Sequence, residues 1–226
     1  MTKQQFIEKV LIVLNDANSG VFDGDMIGSD MVQINNYIEQ QYPSAWRKAV
    51  NLLPKHYFAQ KAESPPTPTG GVRVEADLPD GTGYIVLPND YFRLVNLKMQ
   101  GWEAACGEAV PENDLINAVQ NNQYTRGNFK RPVCVLRKTL VSPPAPEGGD
   151  SELKDVIYYY SLKRGLDEHK IELFTYIPLV TELAAEVDVA DNAIEILAHI
   201  TAAEVLTTQE KFDVAKEVGQ KYMQML

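Results

Sequence analysis

The spacing of apolar residues changes twice along the chain. Over residues 1–62 they recur at helical intervals, over 72–178 they alternate, and over 179–226 the helical interval returns. A chain that runs helices, strands, helices packs most simply with its two ends together. The expected architecture is therefore α+β: residues 1–62 and 179–226 form one helical bundle, and 72–178 form an inserted, antiparallel β-rich lobe. With 226 residues the chain can bury a core without disulfide or metal staples.

Local signals place the elements. Thr2 with Gln5 is a capping box, and Phe6, Val10, Val13 and Leu14 then share one helical face. Ser29 is placed to cap a second helix striped by Met31, Ile34 and Ile38. Pro43 is expected to break that helix and open a third, which carries Trp46, Ala49, Val50 and Leu53. The stretch Glu63 to Gly71, with Pro65, Pro66 and Pro68, reads as a stiff connector.

Strands are expected at 72–76, 83–87, 92–99, 132–140, 156–162 and 171–177. Asn113-Asp114 caps a short helix through Val119, and 163–169 reads as a hairpin turn joining the last two strands. Residues 141–150, with Pro143, Pro144 and Pro146, are too rich in proline and glycine for regular structure and read as a protruding arm. Two helices close the chain, Asp191–Thr207 and Gln209–Met225. The first is apolar nearly all round, so one face is expected in its own core and another, with Ile196 and Ile200, against a partner. The second carries the stripe Phe212, Ala215, Val218, Tyr222 and Met225.

Several function classes find little support. No uninterrupted apolar run exceeds five residues, whereas a membrane span needs about 20. The opening Met1-Thr2-Lys3-Gln4-Gln5 lacks the form of a signal peptide. Cys106 and Cys134 are too few for a disulfide framework, which suits a reducing compartment. Asp23-Gly24-Asp25 begins like a calcium loop, but Ile27 and Ile34 stand where oxygen ligands are needed. His56, His169 and His199 form no helical metal pair, and neither a cofactor nor a metal is expected. The sequence has no Gly-x-Ser-x-Gly and no phosphate-binding Gly-rich loop. Glu195 and His199 share a helical face, the one arrangement that suggests acid–base chemistry.

Charge is uneven. The net charge is −10, from 21 basic and 31 acidic residues, which is the wrong sign for a protein that grips nucleic acid as a whole. Between Leu115 and Pro146 there is no acid, while Arg126, Lys130, Arg131, Arg137 and Lys138 are basic. From Thr181 onward nine acids face three lysines. Opposite patches on one molecule are complementary between neighbours, and a head-to-tail contact that closes gives a ring. The loop 121–131, with Arg126, Phe129, Lys130 and Arg131, also mixes bases with aromatics as single-strand binders do.

The run Tyr84-Ile85-Val86-Leu87-Pro88-Asn89-Asp90-Tyr91-Phe92-Arg93-Leu94, continuing to Gly101-Trp102, resembles a segment of tailed-phage head–tail connector proteins. The closing helices from Ile194 to Leu226 and the early Tyr42-Pro43-Ser44-Ala45-Trp46 are similar to the same plan. The nearest likeness is to the adaptor or ring proteins beneath the portal of podovirus-like phages, crAss-like phages among them. The Pro-rich arm is not a general feature of that family. The resemblance implies a virion structural protein at the head–tail junction, assembled in the host cytoplasm and without catalysis. It implies a ring of about twelve copies that docks under the portal, meets adjacent tail or ring proteins, and surrounds double-stranded DNA without specific binding. An acidic channel lining would let DNA slide. Contact residues on this reading are Arg126, Phe129, Lys130 and Arg131, the arm prolines Pro143 and Pro144, and Ile196, Ile200, Tyr222 and Leu226 on the closing helices.

Overall fold

A computed structural model describes residues 1–17, 28–62, 72–73, 81–122, 124–141, 151–160, 162 and 169–226, with the side chains of 28–32 excepted. The fold is α+β, with N- and C-terminal helices packed together and a β-rich middle region. It divides into two compact units, Met1–Ala59 with Leu179–Leu226, and Gln60–Pro178. The calcium-like loop, the connector 63–71 and the arm prolines lie outside the described residues, as do the Ser29 side chain and residues 74–76 of the expected first strand.

In the helical unit, α1 (Lys3–Asp16) starts at the capping box: Gln5 N–H donates to Thr2 Oγ1 at 3.3 Å, and Thr2 N–H to Gln5 Oε1 at 3.1 Å. It buries Phe6, Ile7, Val10 and Leu14. The next helix, α2 (Gly28–Leu52), runs straight through the expected break at Pro43. Proline forfeits one backbone bond and costs a helix about 3 kcal/mol. Burial of Tyr42, Ala45, Trp46, Ala49 and Val50 on the turns around it outweighs that cost. An aromatic file runs Phe6–Tyr42–Trp46–Phe58, with ring centroids 5.4, 6.1 and 5.0 Å apart. The buried Trp46 indole N–H has no hydrogen-bond partner among the described residues, and burial pushes the Tyr42 phenol well above its ordinary pKa.

The β-rich unit holds β1 (Lys61–Ala62), β2 (Val72–Arg73), β3 (Gly83–Val86), β4 (Tyr91–Met99), β5 (Ala109–Pro111), a short helix α3 (Leu115–Val119), β6 (Cys134–Val141), β7 (Glu152–Tyr159) and β8 (Ile171–Pro178). One sheet has the order β1-β8-β4 and the other β2-β3-β7-β6-β5. The main core joins them: Ile85, Leu94, Leu97, Met99, Trp102, Ile157, Tyr159, Phe174 and Tyr176 are buried in one cluster. The opposite face of the five-stranded sheet has its own cluster around Val86, Val135, Val156 and Tyr158. Here β7 and β8 are not a hairpin, because they belong to different sheets. The true hairpin partners are β6 and β7, which pair from Cys134↔Tyr159 to Val141↔Glu152.

The phrase Leu87-Pro88-Asn89-Asp90-Tyr91 is a brace at the β3–β4 turn. Tyr91 N–H donates to Pro88 O at 3.0 Å. Tyr176 Oη of β8 donates to Asp90 Oδ1 at 2.9 Å, and Lys61 of β1 pairs with the other carboxylate oxygen. Burial pulls the Asp90 carboxyl upward, but the hydrogen bonds from Lys61 and Tyr176 and the Lys61 charge outweigh it and hold the group below its ordinary value. Cys106 and Cys134 share the main core, where burial raises the Cys134 thiol well above its usual range.

The chain closes with α4 (Asp191–Thr208) and α5 (Phe212–Met225) in the helical unit. Residues 209–211, expected inside the last helix, form the joint. Lys211 N–H bonds Leu206 O at 2.9 Å and Glu210 N–H bonds Thr207 O at 3.1 Å, a Schellman closure with Glu210 at φ 61°. Before α4, residues 185–190 run extended along the bundle end. They are pinned by Lys3 N–H to Ala185 O (2.9 Å), Val187 N–H to Met1 O (2.8 Å) and Ala190 N–H to Tyr57 O (2.8 Å).

Candidate interaction surface

Helix α4 does not keep a flank for a partner. It packs against α1, α2 and α5, and Ile196 and Ile200 are only 6% and 1% exposed. The sequence-based expectation that these two residues meet a neighbouring copy is thus corrected. An all-round apolar helix is satisfied by three neighbours in its own bundle as readily as by another subunit. On α5, Ala215 and Val218 are buried and Tyr222 is half-buried, while Phe212, Met225 and Leu226 are exposed.

Glu195 and His199 both line a cavity of about 280 Å³ with Lys9, Ile12, Val13 and Lys221. Their one contact is backbone-directed: His199 Nδ1 donates to the Glu195 carbonyl oxygen at 2.9 Å. No hydrogen bond or ion pair joins the two side chains, so the spacing does not make an acid–base dyad. Among the described residues no group of three or more His, Cys, Asp or Glu side chains could hold a metal ion. Among them also, no helix is long and apolar enough to cross a membrane.

Four exposed large apolar side chains lie at and after α5, Phe212, Met223, Met225 and Leu226, and four more on a knob built by residues 111–122 and 124–131. Asp114 caps α3 by accepting from Ile116 N–H at 2.8 Å. Asn117 links the turn to β6: its Nδ2 donates to Glu112 O at 2.7 Å and its Oδ1 accepts from Arg137 Nη2 at 2.6 Å. Gln120, 2% exposed, is the central tie. Its Nε2 donates to Ile116 O at 2.7 Å and its Oε1 accepts from Gly127 N–H at 2.8 Å. Asn122 Oδ1 accepts from Tyr124 N–H at 3.0 Å, and Asn128 Oδ1 from Lys130 N–H at 2.9 Å and Arg131 N–H at 3.1 Å. Beyond α3, side-chain amides and backbone turns together brace the chain where no further helix or strand forms.

Held on this brace, Leu115 is 85% and Tyr124 94% exposed, with Ile116 and Val119 also exposed beside them. Lys130 and Arg131 are exposed and form no ion pair among the described residues; Arg126 is half-buried. Phe129 is not free to stack on a base. It packs against the main core, its carbonyl accepts from Glu103 N–H at 2.8 Å, and Lys130 Nζ lies 6.0 Å from its ring centroid. The expected aromatic of this loop is therefore a core anchor, and Tyr124 is the presented one. The Asn/Gln density of 117–128 is the signal in the sequence that this loop is built rather than loose.

A second exposed apolar pair lies on the β6–β7 hairpin. The registers with β5 and β3 stop at Leu136 and Val156, and beyond them Leu140 stands opposite Leu153, both exposed. No protein-family model matches the chain, and neither a curated protein nor a solved structure matches it.

Proposed function

We propose that this chain is a structural building block of a multi-subunit assembly, and that the assembly is the head–tail connector ring of a tailed phage. On this reading it docks beneath the portal, joins it to the tail around the DNA channel, and performs no bond-making of its own. The observation that carries the assembly part is the knob: two large apolar side chains, Leu115 and Tyr124, held almost wholly in solvent by a braced backbone. Large exposed apolar groups on an ordered scaffold mark protein contacts. The connector part rests on the resemblance of 84–102 and 194–226 to that family. The acidic net charge of −10 suits a channel protein that must not hold DNA.

The test is negative-stain imaging of the purified chain, alone and with the portal protein of the same phage. Closed rings of about twelve subunits, free or seated on the portal, are the expected result. A particle that stays a monomer and does not bind the portal overturns the reading.

A further inference from the structure

The knob has a complement on the same chain. In the segment before α4, Leu183, Val187 and Val189 point into the helical unit, while Glu182, Glu186 and Asp188 are exposed. Asp191 is exposed at the start of α4. None of these four carboxylates forms an ion pair among the described residues. This contrasts with Glu204, which is held by Ser44 and Lys48. Ala184 and Ala185 are exposed between the acids, so no long side chain bars an incoming ring. The backbone here is pinned at Ala185, Val187 and Ala190.

We infer that the knob of one copy docks on this acidic rim of the next copy, with Lys130 and Arg131 against Glu182, Glu186, Asp188 and Asp191, and Leu115 and Tyr124 over Ala184 and Ala185. The inference rests on the assembly reading and names its contact. Three physical points support it. Lys130 and Arg131 are opposite in charge to the four rim carboxylates and none of the six forms an ion pair among the described residues, so docking matches charges without breaking an existing pair. Both are preorganised, which lowers the entropy lost on association. The contact joins two different patches, and a heterologous contact of that kind gives a ring where its rotation closes.

The experiment is sedimentation of the 226-residue chain from micromolar to millimolar concentration at low and high salt. It compares wild type with a knob reversal (K130E/R131E) and a rim reversal (E182K/E186K/D188K). Wild type is expected to self-associate, less so in high salt, and each reversal to weaken association by at least about a hundredfold. An equimolar mixture of the two reversed proteins is expected to regain it, because each knob then meets a rim of opposite sign. Circular dichroism checks that both variants fold, and recovery in the mixture requires that they do. If both variants associate as wild type does, this docking pair is wrong and the assembly reading stands. If the reversals weaken association and the mixture does not restore it, the pairing is also wrong. If wild type remains monomeric at millimolar concentration, this docking pair is overturned, and the assembly reading falls with it only if the chain also fails to bind the portal.

Discussion

Helix α4 and the knob at 111–131 are opposites in composition and in use. The helix is apolar on most of its faces and is buried inside its own bundle, with Ile200 at 1% exposure. The knob is rich in asparagine, glutamine and basic residues, yet it leaves Leu115 at 85% and Tyr124 at 94% exposure. The hydrophobic effect rewards burial by whatever is nearest. Apolar content therefore measures how much cover a segment needs, while a polar brace can hold an apolar group out where local packing would otherwise hide it. The apolar surface left exposed here is set by the brace and not by the most apolar segment.

The sharpest way to break this contrast is to truncate one side chain on each side of it. Ile200→Ala should cost about 2–5 kcal/mol by emptying packed space, read as a fall in the urea midpoint of the helical unit. Leu115→Ala should cost no more than about 0.5 kcal/mol, read from the urea midpoint of the β-rich unit that holds it. An Ile200→Ala protein as stable as wild type would show that α4 is not fully packed at home. A smaller effect tests the brace. Gln120→Leu removes both amide bonds and leaves Gly127 N–H and Ile116 O without this partner, a loss of about 1–3 kcal/mol, with faster hydrogen exchange at Gly127 as its local sign. Smallest is the pH response at the β3–β4 brace. The Asp90 carboxyl titrates below its unfolded value, so between those two values the unfolded chain binds more protons. The contribution is whole above the ordinary carboxylate pKa of about 3.9 and is lost as pH falls through the lower, folded value. Urea midpoints should therefore drop more steeply below about pH 4 for wild type than for Asp90→Asn.

The α+β order was legible because period changes survive any detail of packing. Two caps were legible for a local reason: Thr2 with Gln5, and Asp114, each bond backbone within three residues. What failed was non-local. Pro43 looks like a break because its lost bond is written in the sequence, while the burial of Tyr42 and Trp46 that offsets it is not. Strands β7 and β8 follow one another, but which sheet each joins depends on β3, β4 and β6, far away in the chain. The chemistry of loop 121–131 was visible as composition, but only the fold decides that Phe129 anchors and Tyr124 is displayed.

The two tryptophans fall one to each unit: Trp46 in the aromatic file of the helices, Trp102 in the core between the sheets. Both rings are buried and neither indole N–H has a hydrogen-bond partner among the described residues, so both emit from apolar surroundings until their own unit opens. The chain thus carries a separate optical reporter for each half. Replacing either tryptophan by phenylalanine leaves a single fluorophore, and the red shift of that one signal times the melting of its own half against the other.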